Sequence, residues 1–178
     1  WGLRMDRRCD FRAIVAISVF WGQGAILAAQ FPPLVKNVLG ADAHVATLFL
    51  SVFSVGVALG SVAINRLLNG TVSARFAPIS AIVMGLFVLD LYRVVKGWPL
   101  PGDDLVDFAH FIQTPGAKHV LIDLFGVAVS GGMFVVPLYA FLTTTVSKAQ
   151  TGRTVAANNI VNSAAMVVAA AILFVLVH

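Results

Sequence analysis

Residues 45–64, VATLFLSVFSVGVALGSVAI, contain no charged side chain, and their only polar groups are four small hydroxyls. An α-helix rises ~1.5 Å per residue, so a stretch of this length matches the ~30 Å hydrocarbon core of a bilayer. The apolar run is continuous and much longer than the ~10-residue alternating strand of a membrane β-barrel. This stretch therefore predicts a transmembrane α-helix.

The whole chain has the composition that this stretch suggests. Of its 178 residues, 59% are hydrophobic and 11% are charged, whereas soluble domains are typically ~45–50% apolar and ~25% charged. We therefore expect lipid to be the solvent of an all-α membrane protein with five transmembrane helices. Besides residues 45–64, the predicted spans are about 13–35, 76–95, 119–146 and 154–177.

Several classes of function are disfavoured. Cys9 is the only cysteine, so neither an intrachain disulfide nor a cysteine metal cluster can form. The basic residues fall between apolar runs, without the aromatic interleaving of a nucleic-acid surface. No Walker loop, GxSxG elbow or HExxH motif is present. His119 and Asp123 are separated by three residues, not the four of the His-x4-Asp acyltransferase motif. We expect no enzyme, no catalytic residue, no cofactor, no metal site and no nucleic-acid partner.

Lysine and arginine are distributed unequally between the two sides of the predicted bundle. One side carries Arg4, Arg7, Arg8, Arg12, Arg66, Arg75, Lys148 and Arg153. The other side carries Lys36, Arg93, Lys96 and Lys118. Because the richer side is normally cytoplasmic, the N-terminal segment should lie inside and the loop between Lys96 and Lys118 outside.

The predicted outer loop has its own helical pattern. Pro99 and Pro101 interrupt any helix, and Asp103-Asp104 then offers an N-cap. Apolar residues follow at helical spacing until Pro115-Gly116: Leu105, Phe108, Ala109 and Ile112. The segment is either a short helix lying in the outer membrane interface or an ordinary capped loop helix.

Small residues form faces on two of the predicted spans. Gly56 and Gly60 have GxxxG spacing on the second, and Gly126, Ser130, Gly131 and Gly132 lie on the fourth. Such faces allow helix backbones to approach closely in lipid. They predict close helix packing, and they also suit helices that slide during transport.

Ionisable residues within a span are costly and often functional. His119 and Asp123 lie one helical turn apart, which suits either a proton or ion site or a pair at the water interface. Asp90 is expected to form a structural salt bridge with Arg93 or Lys118.

Amides and one tyrosine are the other polar candidates. Asn158 and Asn162 share one face of the fifth span, where they either bond neighbouring helices or line a polar cavity. Gln23 lies midway along the first span and Gln30 two turns later, and both could line a path. Tyr139 follows Pro137, which is expected to kink the fourth span.

Six strings of sequence resemble a known family. They are AQFP at 29–32, VLGA at 38–41, TLFLSVFSVG at 47–56, DLY at 90–92, GGMFVVPLYA at 131–140 and AANNIVN at 156–162. Together they resemble the lysophospholipid transporter branch of the major facilitator superfamily. That branch includes the domain fused to 2-acylglycerophosphoethanolamine acyltransferase and acyl-carrier-protein synthetase modules. The strings at 131–140 and 156–162 are the most specific.

The resemblance implies a place for each span in a larger transporter. The five spans would match helices seven to eleven of twelve, with residues 1–12 ending the central cytoplasmic loop and residues 13–178 forming the C-terminal half-domain. The family's seventh and tenth helices line its cavity, which favours Gln23, Gln30, Asp123 and Tyr139 as substrate-binding residues. Asn158 and Asn162 are also predicted as substrate-binding residues, on the basis of their one-turn spacing rather than of the resemblance. Asn65-Arg66 departs from the family's acidic–Arg pair in the loop after the eighth helix.

The implied function is transport of a lysophosphatidylethanolamine-like lipid across the bacterial inner membrane by alternating access, feeding reacylation. The chain starts at Trp1 without a methionine and ends at His178 directly after an apolar run, so we expect a fragment truncated at both ends. Its expected partners are membrane lipid, the missing N-terminal half and an acyltransferase, fused or associated. The rival interpretations are another major facilitator, for drugs or sugars, and a membrane anchor for an acyltransferase.

Overall fold

The computed structural model describes residues 7–99, 102, 104–144 and 148–177, and it is helical throughout these ranges apart from short connections. The helices are α1 (Arg7–Pro33), α2 (Ala43–Leu67), α3 (Ala77–Lys96), α4 (Phe108–Gln113), α5 (Ala117–Thr144) and α6 (Lys148–Val177). All except α4 are long and apolar enough to cross a membrane. The prediction of an all-helical protein with five membrane-spanning candidates is confirmed for these residues.

Helical structure at the end of the first span extends a few residues beyond the predicted end at about residue 35. The α-helix ends at Pro33, but a wider π-helical turn continues from Leu34 to Val38. The Leu39 N–H donates to the Leu34 carbonyl at 3.0 Å and closes this turn. A proline lacks its N–H and crowds the turn before it, yet the backbone beyond it can stay helical when the turn widens.

Helix α5 is the centre of the bundle and packs against α1, α2 and α3, while α6 packs mainly along α1. In the most apolar window of α5, 61% of residues are buried, against 6% in α3 and in α6. The outward side chains of α3 and α6 are large and apolar, such as Ile82, Leu86, Val167 and Phe174. Their exposed faces are therefore suited to lipid or to further protein, and α5 supplies the core.

Glycines set the distance between α2 and α5. A Cβ atom added at Gly56 would lie 2.6 Å from the Ala128 Cβ, and one added at Gly60 would fall on the Val129 carbonyl. From the opposite side, a Cβ at Gly132 would fall on the Val57 carbonyl. The predicted close packing of these small-residue faces is confirmed, because only glycine leaves room for the crossing backbones.

The hydroxyls of α2 are satisfied within the helix itself. Thr47, Ser51, Ser54 and Ser61 each donate to the carbonyl four residues earlier, at 2.7–3.1 Å. Such bonds let small polar side chains sit in a lipid-facing helix without an unpaired donor. These residues therefore serve the span and carry no evident site.

The loops before α2 and before α4 meet at the same end of the bundle. The Val106 N–H donates to the Gly40 carbonyl at 2.8 Å, and the Asp42 N–H donates to the Val106 carbonyl at 3.0 Å. The segment from Leu68 to Phe76 connects α2 and α3 at the opposite end. Successive connections therefore lie at alternate ends of the bundle, as the predicted membrane sides from the Lys and Arg distribution require.

The N-cap prediction for the outer loop is wrong for the described residues. Helix α4 begins at Phe108 with Asp107 as its N-cap, whereas Asp104 precedes an extended segment and Asp103 lies outside the described residues. The Asp107 carboxylate accepts from the His110 backbone N–H at 2.9 Å and contacts the His110 ring at 2.7 Å. The backbone bond is the larger cause, and both lower the pKa of Asp107 below 3.8.

Helix α4 is anchored to the bundle by one aromatic side chain. Phe111 is 1% exposed, and its ring lies 6.1 Å from that of Phe49 and stacks at 6.0 Å on Trp98. Leu105 and Phe108 remain exposed. The segment is therefore a capped helix docked on the protein, and its contact with a membrane interface stays a prediction.

Candidate functional site

A polar cluster joins α1, α5 and α6 and is called here the tyrosine cluster; its tyrosine is half-buried and its other members are buried. Its members are Ser18, Tyr139, Asn158 and Asn162. The Tyr139 hydroxyl accepts from the Asn158 Nδ2 at 2.9 Å and from the Asn162 Nδ2 at 3.2 Å. The Ser18 hydroxyl donates to the Asn162 Oδ1 at 2.7 Å. One continuous hydrogen-bond network thus crosses three helices.

Local sequence explains how each side chain reaches this network. Asn158 and Asn162 are one turn apart on α6 and face the same way. Tyr139 lies in α5, whose helix continues through Pro137 to Thr144. Ser18 lies on α1 beside Ile17, and both are buried. Bonding of the two asparagines to neighbouring helices is confirmed, and their lining of a polar path stays a prediction.

One polar atom of the tyrosine cluster has no partner among the described residues. The Asn158 Oδ1 is buried without a hydrogen bond, and the whole residue is 0% exposed. A buried acceptor left unpaired costs about 1–3 kcal/mol. The cluster therefore holds a free acceptor that a hydroxyl or ammonium donor would satisfy.

Ser18 is the member that the sequence does not single out. A serine in an apolar span usually bonds its own helix, and nothing near Ser18 distinguishes it from the serines of α2. Its partner, Asn162, is 144 residues away in sequence. Only the packing of α6 along α1 brings the two side chains together.

A second cluster, the carboxylate–histidine cluster, consists of Asp90, His119 and Asp123, at the end of α3 and α5 that carries α4. His119 Nε2 lies 3.0 Å from the Asp90 Oδ2 and 3.8 Å from the Asp123 Oδ2. The expected salt bridge of Asp90 with Arg93 or Lys118 is wrong, since His119 is its ion-pair partner among the described residues. The proximity of His119 and Asp123, predicted from their spacing, is confirmed.

The two glutamines lie apart from both clusters. Gln23 is exposed on the bundle and lines a cavity of about 260 Å³ between α1, α2, α3 and α5, whose other lining side chains include Phe20, Phe53 and Met84. Gln30 is partly buried two turns further along α1. The six predicted site residues therefore fall into separate places, with only Tyr139, Asn158 and Asn162 in mutual contact.

Comparisons with known proteins give this chain no relative. No protein-family model matches it, no curated protein matches it, and no solved structure matches it.

Proposed function

We propose that this chain is part of a lysophospholipid transporter of the major facilitator type, working in the bacterial inner membrane. It would move a lysophosphatidylethanolamine-like lipid inward by alternating access, in which two helical halves rock around a site deep in the membrane. In that scheme the five spans correspond to helices seven to eleven. An N-terminal half would supply the opposite wall of the path, and an acyltransferase would use the delivered lipid.

One observation carries the proposal. The two strings most specific to the resemblance, residues 131–140 and 156–162, are the strings that supply Tyr139, Asn158 and Asn162. These side chains hydrogen-bond one another although they come from different helices. Buried polar side chains within membrane spans usually mark functional sites. The resemblance and the hydrogen-bond network thus both support this part of the chain as the functional site.

The chemistry of the region suits an amphipathic lipid. The Asn158 Oδ1 is an unpaired buried acceptor, and a lysophosphatidylethanolamine headgroup offers ammonium and hydroxyl donors. The cavity beside Gln23 has otherwise apolar walls, including Leu27, Phe53 and Val88. A single acyl chain can use such walls, whereas a sugar needs several polar partners. We assign Gln23, Gln30, Tyr139, Asn158 and Asn162 to the path, while Asp123 as a path residue stays a prediction.

The test is uptake of labelled lysophosphatidylethanolamine by spheroplasts that lack their own transporter and express the full-length protein. We expect accumulation of labelled, reacylated phosphatidylethanolamine well above the empty-vector level. Unlabelled lysolipids with other headgroups, added as competitors, report headgroup preference. Gln23→Leu should lower uptake, whereas Gln113→Leu, an exposed glutamine on α4 outside the spans, should not.

The same assay separates the rival functions. A drug exporter, a sugar carrier or a membrane anchor would leave lysolipid uptake at the empty-vector level while the protein is present in the membrane. That result would sink the proposed function. Uptake that persists unchanged in Gln23→Leu would keep the function and remove Gln23 from the path.

A further inference from the structure

The carboxylate–histidine cluster brings together three side chains that bind metals. One ligand atom from each of Asp90, His119 and Asp123 can be chosen so that all three lie within 4.8 Å of one another. Asp90 lies on α3 and the other two on α5, so the grouping depends on helix packing. Asp90 and His119 are partly exposed at 44% and 53% of their side chains, while Asp123 is 2% exposed. The group is open on one side and buried on the other.

The buried side of this cluster lacks a hydrogen-bond partner among the described residues. The Asp123 Oδ2 is buried and accepts no hydrogen bond from the described residues. His119 Nε2 lies closer to Asp90 than to Asp123, and one N–H cannot fully serve both carboxylates. A buried carboxylate is normally paired with a cation or coordinated to a metal. The Asp123 oxygen therefore points to a ligand that carries positive charge.

No basic side chain among the described residues supplies that charge in full. His119 is the only ion-pair partner that the described residues give to Asp90 or to Asp123. Arg93 lines a pocket together with Asp90, but it makes no ion pair with that carboxylate. Two carboxylates therefore share one imidazole, and with both carboxylates ionised the three side chains carry net negative charge whether His119 is neutral or protonated.

We propose that Asp90, His119 and Asp123 bind a divalent transition-metal ion of the Zn²⁺ class. His119 Nε2 and one oxygen from each carboxylate would be the protein ligands, with a fourth position open to water. Zn²⁺ takes nitrogen and oxygen ligands at ~2.0–2.2 Å, which places tetrahedral ligands roughly 3.3 Å apart. The distances of 3.0 and 3.8 Å from His119 Nε2 bracket this value.

The ligand types favour this class over the hard cations. Mg²⁺ and Ca²⁺ prefer six or more oxygen ligands, whereas an imidazole with two carboxylates suits Zn²⁺, Mn²⁺ or Co²⁺. The site lies at the end of the bundle that carries α4, which the Lys and Arg distribution places outside. A metal ion would therefore reach it from the external side. The inference concerns binding only and is independent of the lysolipid proposal.

The test uses metal-free, full-length protein in lipid nanodiscs, titrated first with Co²⁺ and then with Zn²⁺. We expect one Co²⁺ per chain with the visible absorption of a low-symmetry site, displaced by Zn²⁺. His119→Gln and Asp123→Asn should each weaken Zn²⁺ binding by more than the roughly 10–100-fold typical of losing a second-shell partner. His119→Cys should retain Co²⁺ and add a thiolate charge-transfer band.

The matched control is the other Asp–His pair at the same end of the bundle. Asp107 and His110 are in contact at 2.7 Å but are exposed, and the described residues offer them no third metal ligand. Asp107→Asn combined with His110→Gln should leave the Co²⁺ spectrum and stoichiometry unchanged. Wild-type protein that binds no more Co²⁺ than His119→Gln would overturn the proposal. Loss of the Co²⁺ spectrum in the Asp107→Asn, His110→Gln control but not in His119→Gln would overturn it too. If Asp123→Asn does not fold, His119→Gln and His119→Cys decide the question, because His119 is exposed and its replacement does not disturb the core.

Discussion

The glycine contacts between α2 and α5 give a prediction whose size follows from the structure. Gly60→Leu places a side chain where the Cβ alone would fall on the Val129 carbonyl, which is backbone and cannot rotate away. The two helices must separate. Overpacking of this kind costs typically about 1–3 kcal/mol, and backbone contact places this site at the upper end.

Gly85→Leu is the matched control, because Gly85 lies within α3 and a Cβ added there meets nothing within 4 Å. Replacing glycine by leucine in a helix interior gains up to about 1 kcal/mol of helix propensity at either position. That gain cancels when the two variants are compared. The difference between them therefore isolates the packing cost, at about 3 kcal/mol, or roughly 100-fold in the unfolding equilibrium.

The assay is the free energy of unfolding of the full-length protein in bicelles, measured by steric trapping for both variants. We expect Gly60→Leu to be the less stable by about 3 kcal/mol. Gly60→Leu at or above wild-type stability would refute the close crossing of α2 and α5. Equal loss in both would mean that α3 packs against protein at Gly85, contrary to the open space beside it.

Three further predictions concern topology, the α4 cap and the tyrosine cluster. In intact cells an impermeant maleimide should miss Cys9 and label Gly102→Cys, and labelling of Cys9 alone would reverse the orientation. Asp107 has a lowered pKa, so its cap is complete at neutral pH and is lost as the pH falls through the folded-state value, below 3.8. The His110 amide should therefore stay protected from hydrogen exchange until that pH is reached. Loss of this protection near pH 6 would contradict the cap. Asn158→Leu removes the Nδ2 bond to the tyrosine hydroxyl, so lysolipid uptake should fall with membrane abundance intact, whereas normal uptake would remove Asn158 from the path.

Much of the fold could be predicted from sequence because a bilayer imposes length and hydropathy together. The spans at α2, α3 and α5 agree with the structure within a few residues. Helix α6 begins at Lys148 rather than near Thr154 because polar residues can extend a helix beyond the hydrocarbon, where hydropathy gives no signal. The α4 cap was misassigned because Asp103-Asp104 and Asp107 offer competing caps. The choice is made by the pairing of Val106 with Gly40, which holds the residues before Asp107 extended. These two residues are far apart in sequence, so local sequence does not reveal the pairing.

The site could be predicted only where its members share a helix. Asn158 with Asn162, and His119 with Asp123, follow from one-turn spacing. Their partners Tyr139, Ser18 and Asp90 lie on other helices, and sequence spacing carries no information about which helices touch. The same limit explains the wrong partner expected for Asp90, since Arg93 and Lys118 are near in sequence but His119 is near in space.

The proposed lysolipid path through the tyrosine cluster is tested most directly by the initial rate of lysophosphatidylethanolamine uptake in Tyr139→Phe, compared with Tyr92→Phe. The chain has only these two tyrosines, and Tyr92 is 60% exposed on α3. Removing the Tyr139 hydroxyl deletes the acceptor shared by Asn158 and Asn162, and each such membrane hydrogen bond contributes on average only about 0.6 kcal/mol to stability. We predict that uptake falls by about tenfold or more in Tyr139→Phe at near-normal abundance, which corresponds to about 1.4 kcal/mol or more, and that Tyr92→Phe leaves uptake unchanged. Wild-type uptake in Tyr139→Phe, or equal loss in both variants, would contradict it.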